Sequence, residues 1–234
     1  MTSTLRQLLV PVDFGEASAA AITLGGHLAR RCGGELTLLH AEALDAPVYF
    51  TKEQVETMAA ERRSRQAQAQ KFLGVFGRKH TQTPFTAVIE MRPVVEAIER
   101  HGASADVIVM GTHGRTGPRL WWLGSVAERV LRDTAVPVLV VHAGDASPIT
   151  RLAVYTAPGL QGDAAWALGQ TLALALDAKA SDRRQSPVPP SAMFSGVSMV
   201  VVAEPRVHDR AWRTTVGEPL IRSGAGPVLF VPEA

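Results

Sequence analysis

Nine residues separate Gly114 from Gly124 in a segment that begins Gly111-Thr112-His113-Gly114-Arg115-Thr116-Gly117 and ends Gly124-Ser125-Val126. Glycines let a backbone turn tightly and approach a bound group without a Cβ in the way, and successive peptide N–H groups can then converge on an anion. Where such a loop runs into a helix, the first-turn amides have no partner inside the helix and carry its positive dipole end. A phosphate held at Ser125 and Val126 would gain on the order of 0.3 to 2 kcal/mol from the dipole alone. The Ser125 hydroxyl adds a donor. The chemistry implied is the cradling of a polyphosphate.

This is not a Walker A loop, because no Gly-x-x-x-x-Gly-Lys-Ser/Thr occurs, and it is not the dinucleotide fingerprint, whose glycines would follow the first strand. The bare glycine spacing is weak evidence, and its context strengthens it. The loop leaves the buried run Asp106-Val107-Ile108-Val109-Met110 and enters a helix over 125–131. The run Leu8-Leu9-Val10-Pro11-Val12 ends on an acid, Asp13.

Around these positions the sequence alternates strand and helix. A helix is predicted over 17–31, closed by Gly33-Gly34; a strand over 36–41; and a polar helix over 51–80. A strand over 85–90 is followed by a helix opening at Pro93, and a fifth strand covers 136–141. Five strands alternating with helices argue for an α/β fold with a doubly wound parallel sheet, which binds ligands at the carboxyl ends of its strands. That rule points to the loops after Val12 and Met110.

The remainder reads as a shortened copy of the same plan. Strand 152–156, helix 163–176, strand 199–204 and strand 226–231 repeat the first, second, seventh and last elements of the first half. Residues 179–195, rich in Pro and Ser, read as a loop, so the copy is expected to lack its second and third strands.

The glycine pattern, Gly-x-x-Gly, nine residues, then Gly-Ser, resembles that of the universal stress proteins, and Gly111, Gly114, Gly124 and Ser125 match it position for position. The resemblance covers residues 5–142. It implies a Rossmann-like five-stranded sheet of the adenine nucleotide alpha hydrolase-like kind, with ATP as the cofactor; magnesium can accompany ATP through its phosphates. It also implies that Asp13 hydrogen-bonds the nucleoside, that Pro11 and Val12 line its pocket, and that His40 and Ala41 flank the base. The chain then divides into a universal stress protein domain with the nucleotide site, residues 1–143, and a degenerate one, 150–234. The fifth strands of the two pair within one chain, and the reading leans to a homodimer of whole chains.

Two departures stand out. Met91-Arg92 precede Pro93 where many members have a glycine, which narrows the pocket or brings Arg92 to a phosphate. In the copy, Thr156 or Ala157 replaces the acid and no glycine series follows Glu204, so no nucleotide is expected there.

Composition excludes several alternatives. The 24 Lys and Arg nearly balance 22 Asp and Glu, so the pI of about 9.0 reflects no basic field and no nucleic-acid partner is indicated. One cysteine, Cys32, allows no internal disulfide. No apolar run is long enough for a membrane span or a signal peptide, so a cytoplasmic protein is expected. The leading function is a nucleotide-responsive stress regulator. The alternatives are a weak ATP hydrolase or phosphotransferase, for which no positioned general base is evident, and a structural partner protein with a vestigial site.

Overall fold

The structure, a computed structural model, describes residues 5–43, 52–112, 123–144, 148–156, 160–184, 192–205, 217–223 and 226–233. The first half runs β1 (Gln7–Pro11), α1 (Glu16–Cys32), β2 (Glu35–Ala41), α2 (Lys52–His80), β3 (Phe85–Glu90), α3 (Val94–Gly102), β4 (Val107–Gly111), α4 (Ser125–Asp133) and β5 (Val138–Val141). The second runs β6 (Arg151–Thr156), α5 (Asp163–Leu176), β7 (Lys179–Asp182), β8 (Met199–Pro205), α6 (Gly217–Ser223) and β9 (Val228–Glu233).

The nine strands of the described residues form one sheet, in the order β3-β2-β1-β4-β5-β9-β8-β6-β7. Within β3-β2-β1-β4-β5 every pairing is parallel, which fits the near-continuous apolar runs of strands covered on both faces. Alternate residues serve the two faces. Leu8, Val10, Leu36, Leu38, Val107 and Val109 meet Ala21, Ile22 and Leu28 of α1, whereas Leu9, Leu39, Ile108 and Met110 meet Ala97 and Ile98 of α3 and Ala127 and Val130 of α4. The chain winds outward from β1 through β2 to β3, then returns to add β4 on the other side of β1. The switch point therefore lies between β1 and β4.

Helix α1 ends where expected. Gly33 takes a left-handed φ of 66°, and the Gly33 and Gly34 amides both donate to the Ala29 carbonyl, satisfying the last turn before β2 begins.

Strand β5 pairs antiparallel with β9, in the register Val138↔Phe230, Leu139↔Leu229 and Val140↔Val228, and every other described pairing is parallel. Across that seam the order β5-β4-β1-β2 is met by β9-β8-β6-β7. The second half thus corrects the expectation of a bare loop after residue 178. Lys179-Ala180-Ser181-Asp182 is a strand, paired parallel with β6 as β2 is with β1. It has no apolar alternation to betray it, because an edge strand can be held by backbone pairing alone with charged residues at its ends. No strand equivalent to β3 is found among the described residues of this half.

Candidate functional site

At the carboxyl ends of β1, β2 and β4 the sheet opens into a cleft of about 430 Å³, a size usual for small-molecule sites. Its lining includes Pro11, Val12 and Asp13 after β1, His40 and Ala41 at the end of β2, Met110, Gly111 and Thr112 at the end of β4, and Gly124, Ser125 and Val126 at the start of α4. These are eleven of the sixteen residues the sequence singles out, gathered from four separate stretches. The other five, His113, Gly114, Arg115, Thr116 and Gly117, lie outside the described residues.

The loop's two ends are tied together. The Gly124 amide donates to the Thr112 carbonyl at 2.6 Å, and the Thr112 amide donates to Val141 on β5 at 3.0 Å, so α4 starts beside the end of β4. Gly124 is the N-cap of α4 and supplies no side-chain cap. The first bond of the helix runs from the Glu128 amide to the Gly124 carbonyl, which leaves the Ser125, Val126 and Ala127 amides unspent inside the helix. All three residues border the cleft.

Asp13 is held by its own neighbourhood. Its Oδ1 accepts the Gly15 amide at 3.0 Å and the Ser18 hydroxyl, and its backbone N–H donates to Ser18 Oγ at 3.1 Å. Asp13 thus organises the turn into α1 without being that helix's N-cap, a position taken by Gly15. Its Oδ2 accepts no hydrogen bond among the described residues.

His40 is oriented from below and from the side. Its Nδ1 lies 2.7 Å from the Val12 carbonyl, which can only accept, so Nδ1 carries the proton. The ring of Phe14 lies 4.6 Å from the imidazole and also meets Phe72 and Phe76 of α2, at 4.7 and 5.4 Å. Phe14 holds a left-handed φ of 64°, a conformation that costs a non-glycine residue roughly 1 to 2 kcal/mol. Its three aromatic contacts, each worth about 0.5 to 1.5 kcal/mol, offset that cost.

Two positions are also fixed by their packing and ion pairs. Gly111 does border the cleft, but a Cβ there would stand 2.6 Å from Ala17 Cβ and 2.9 Å from the Ala17 carbonyl carbon. The missing side chain is required by the close seat of α1 on β4, before any ligand is considered. Arg92 is not among the residues that line the cleft. Its Nε bonds Glu90 at 3.0 Å and its Nη1 bonds Glu96 at 3.1 Å, while the other oxygen of Glu90 takes His101 Nε2 at 2.8 Å. These bonds hold the Glu90 carboxyl below the usual range, the His101 hydrogen bond contributing most and Arg92 next, against the opposing effect of burial. One carboxylate on β3 thereby ties down both ends of α3.

Five further residues line the cleft without a sequence motif to mark them: Ser18, Leu39, Val94, Ile98 and Ala127. Val94 and Ile98 are four apart on α3, so their shared face was visible in the spacing, though not the cleft it borders. Ser18 left no signal, because a serine in a helix's first turn is common.

At the carboxyl end of β6, Tyr155 is 1% exposed and donates its hydroxyl proton to the Met193 carbonyl at 3.0 Å while accepting Arg183 Nη1 at 2.9 Å.

The model of the universal stress protein family matches residues 4–142. A universal stress protein of Methanocaldococcus jannaschii is 49% identical over 57 residues, 24% of this chain and 34% of that protein. One of Mycobacterium bovis is 28% identical over 142 residues, 58% of this chain and 45% of that protein. The chain thus spans less than half the length of these curated relatives. Among solved structures, a universal stress protein from Archaeoglobus fulgidus superposes with a TM-score of 0.64 at 17% identity, covering 97% of this chain and 96% of that one. A functionally unknown protein from Pseudomonas aeruginosa superposes with a TM-score of 0.58 at 13% identity, covering 99% and 94%. At those identities the likeness is one of fold. The family match over more than half of the residues goes further, and the chain belongs to the universal stress protein family.

Proposed function

We propose that the chain binds one ATP, with magnesium on its phosphates, in the cleft at the ends of β1, β2 and β4, and that occupancy sets the state of a cytoplasmic, nucleotide-responsive regulator. The observation that carries this is the coincidence of three chemistries on one cleft: the open first-turn amides of α4, the free oxygen of Asp13, and the apolar wall of Leu39, Val94, Ile98 and Met110. Amides and a helix N-terminus suit phosphate, a carboxylate oxygen suits hydroxyl donors, and an apolar wall suits a base.

In this reading residues 1–143 and 150–234 are two copies of one domain, joined through β5 and β9, with only the first competent. The mirrored strand order supports the pairing. The buried Tyr155, fixed by Arg183 and Met193, supports a filled second site.

The test is calorimetric titration of the purified chain with ATP and magnesium. One site per chain is expected, weakened when magnesium or the γ-phosphate is removed. Absence of saturable heat with ATP, ADP and AMP alike would remove the proposal.

A further inference from the structure

Ser18 is buried, 4% exposed, in the first turn of α1, and its hydroxyl closes a small ring with Asp13. The oxygen accepts the Asp13 amide, and the proton goes to Asp13 Oδ1. The Gly15 amide takes a second position on the same oxygen. Two donors on Oδ1 fix the plane of the carboxylate, so that the remaining acceptor capacity is concentrated on Oδ2.

The ring depends on how closely α1 approaches β4. An added Cβ at Gly111 would fall 2.6 Å from Ala17 Cβ and 3.1 Å from the Ser18 nitrogen, so the glycine is what lets this first turn sit over the switch point. Gly111, Ser18 and Asp13 all border the same cleft. A serine that merely satisfied itself would return its proton to a carbonyl of the preceding turn, as Thr23 does with Ala19. Ser18 gives it to the acid instead.

We infer that Ser18 is a positioning residue for the nucleotide site: it aims Asp13 Oδ2 at a hydroxyl donor of the bound ligand. This rests on the ATP-binding reading of the cleft. Ser18 makes no claim on the ligand itself; it acts through Asp13.

The experiment is a double-mutant cycle read by titration with ATP. Ser18→Ala should weaken ATP by about tenfold, the scale of losing the order of one hydrogen bond to a charged group. Asp13→Asn can keep the turn through its side-chain oxygen while replacing Oδ2 with a donor, so it should weaken binding by itself. In that background Ser18→Ala should cost less than twofold. A serine that matters only for packing would give the same loss in both backgrounds, and that result overturns the inference. So does unchanged affinity in Ser18→Ala while the wild type still binds. A wild type that binds no nucleotide instead defeats the reading of the cleft, and the inference with it. A readout without ligand accompanies these: the amide resonance of Gly15, which donates to Asp13 Oδ1, should shift or broaden in Ser18→Ala and remain sharp in a distant control such as Leu174→Ala.

Discussion

Placing an acid at position 124 separates the helix from the site it serves. Gly124 has φ −67° and ψ 153°, extended backbone open to any residue, and it caps α4 without a side chain. Asp is among the best N-cap residues, and its advantage over glycine there is a few tenths of a kcal/mol. Gly124→Asp should therefore leave stability level or slightly raised, with a melting temperature within about 2 °C of wild type. The same carboxylate would accept the Val126 or Ala127 amide, which the proposal assigns to phosphate. It would also stand roughly 4 Å from a phosphate oxygen, where like charges cost up to about 4 kcal/mol at an effective dielectric of 20. Screening at the cleft mouth lowers this to about 2 to 4 kcal/mol, a loss of roughly 30- to 700-fold in affinity. Titration calorimetry beside a thermal melt reads both quantities. If the variant melts like wild type and binds ATP within threefold of it, the phosphates are not held by the start of α4.

Gly111→Ala should do the opposite, losing about 1 to 3 kcal/mol of stability by overpacking against Ala17, so that a binding defect there reports the fold; a wild-type melt would show that α1 moves aside freely. Glu90→Gln should cost on the order of 1 kcal/mol at pH 7 by weakening the His101 and Arg92 bonds. Because folding lowers the Glu90 pKa, its contribution is complete above the ordinary glutamate range near 4.3 and is lost as pH falls through the folded value. The melting gap between wild type and Glu90→Gln should accordingly close below about pH 4, and a gap that widens there would contradict the pairing.

Much of the site was legible because its residues sit where strands end. Buried parallel strands write themselves as runs such as Val107-Ile108-Val109-Met110, and the switch-point rule then says which termini matter. Asp13 and the Gly124-Ser125 pair follow from that. What the sequence could not reveal were relations across the fold. Ser18 gains its meaning from Asp13 five residues earlier and from a glycine ninety-three residues later. Arg92 reads in the sequence as a residue that narrows the pocket or reaches a phosphate, and only the fold sets Glu90 and Glu96 on either side of its guanidinium. Strand β7 carries Lys-Ala-Ser-Asp, a composition without β propensity, and exists because β6 offers an unpaired edge.

The antiparallel join of β5 to β9 decides which rim of the sheet each half presents. Strands β1 to β5 all point one way and β6 to β9 all point the other. The two halves therefore present their strand tips on opposite rims of a single slab. A partner gripping the rim that carries Tyr155 would not crowd the rim that carries the cleft. The halves also meet beside the sheet, where Arg31 Nε of α1 donates to the Ala175 carbonyl of α5 and His142 Nε2 meets the Ile221 carbonyl, so the β5–β9 seam is braced from both faces rather than left as a bare hinge.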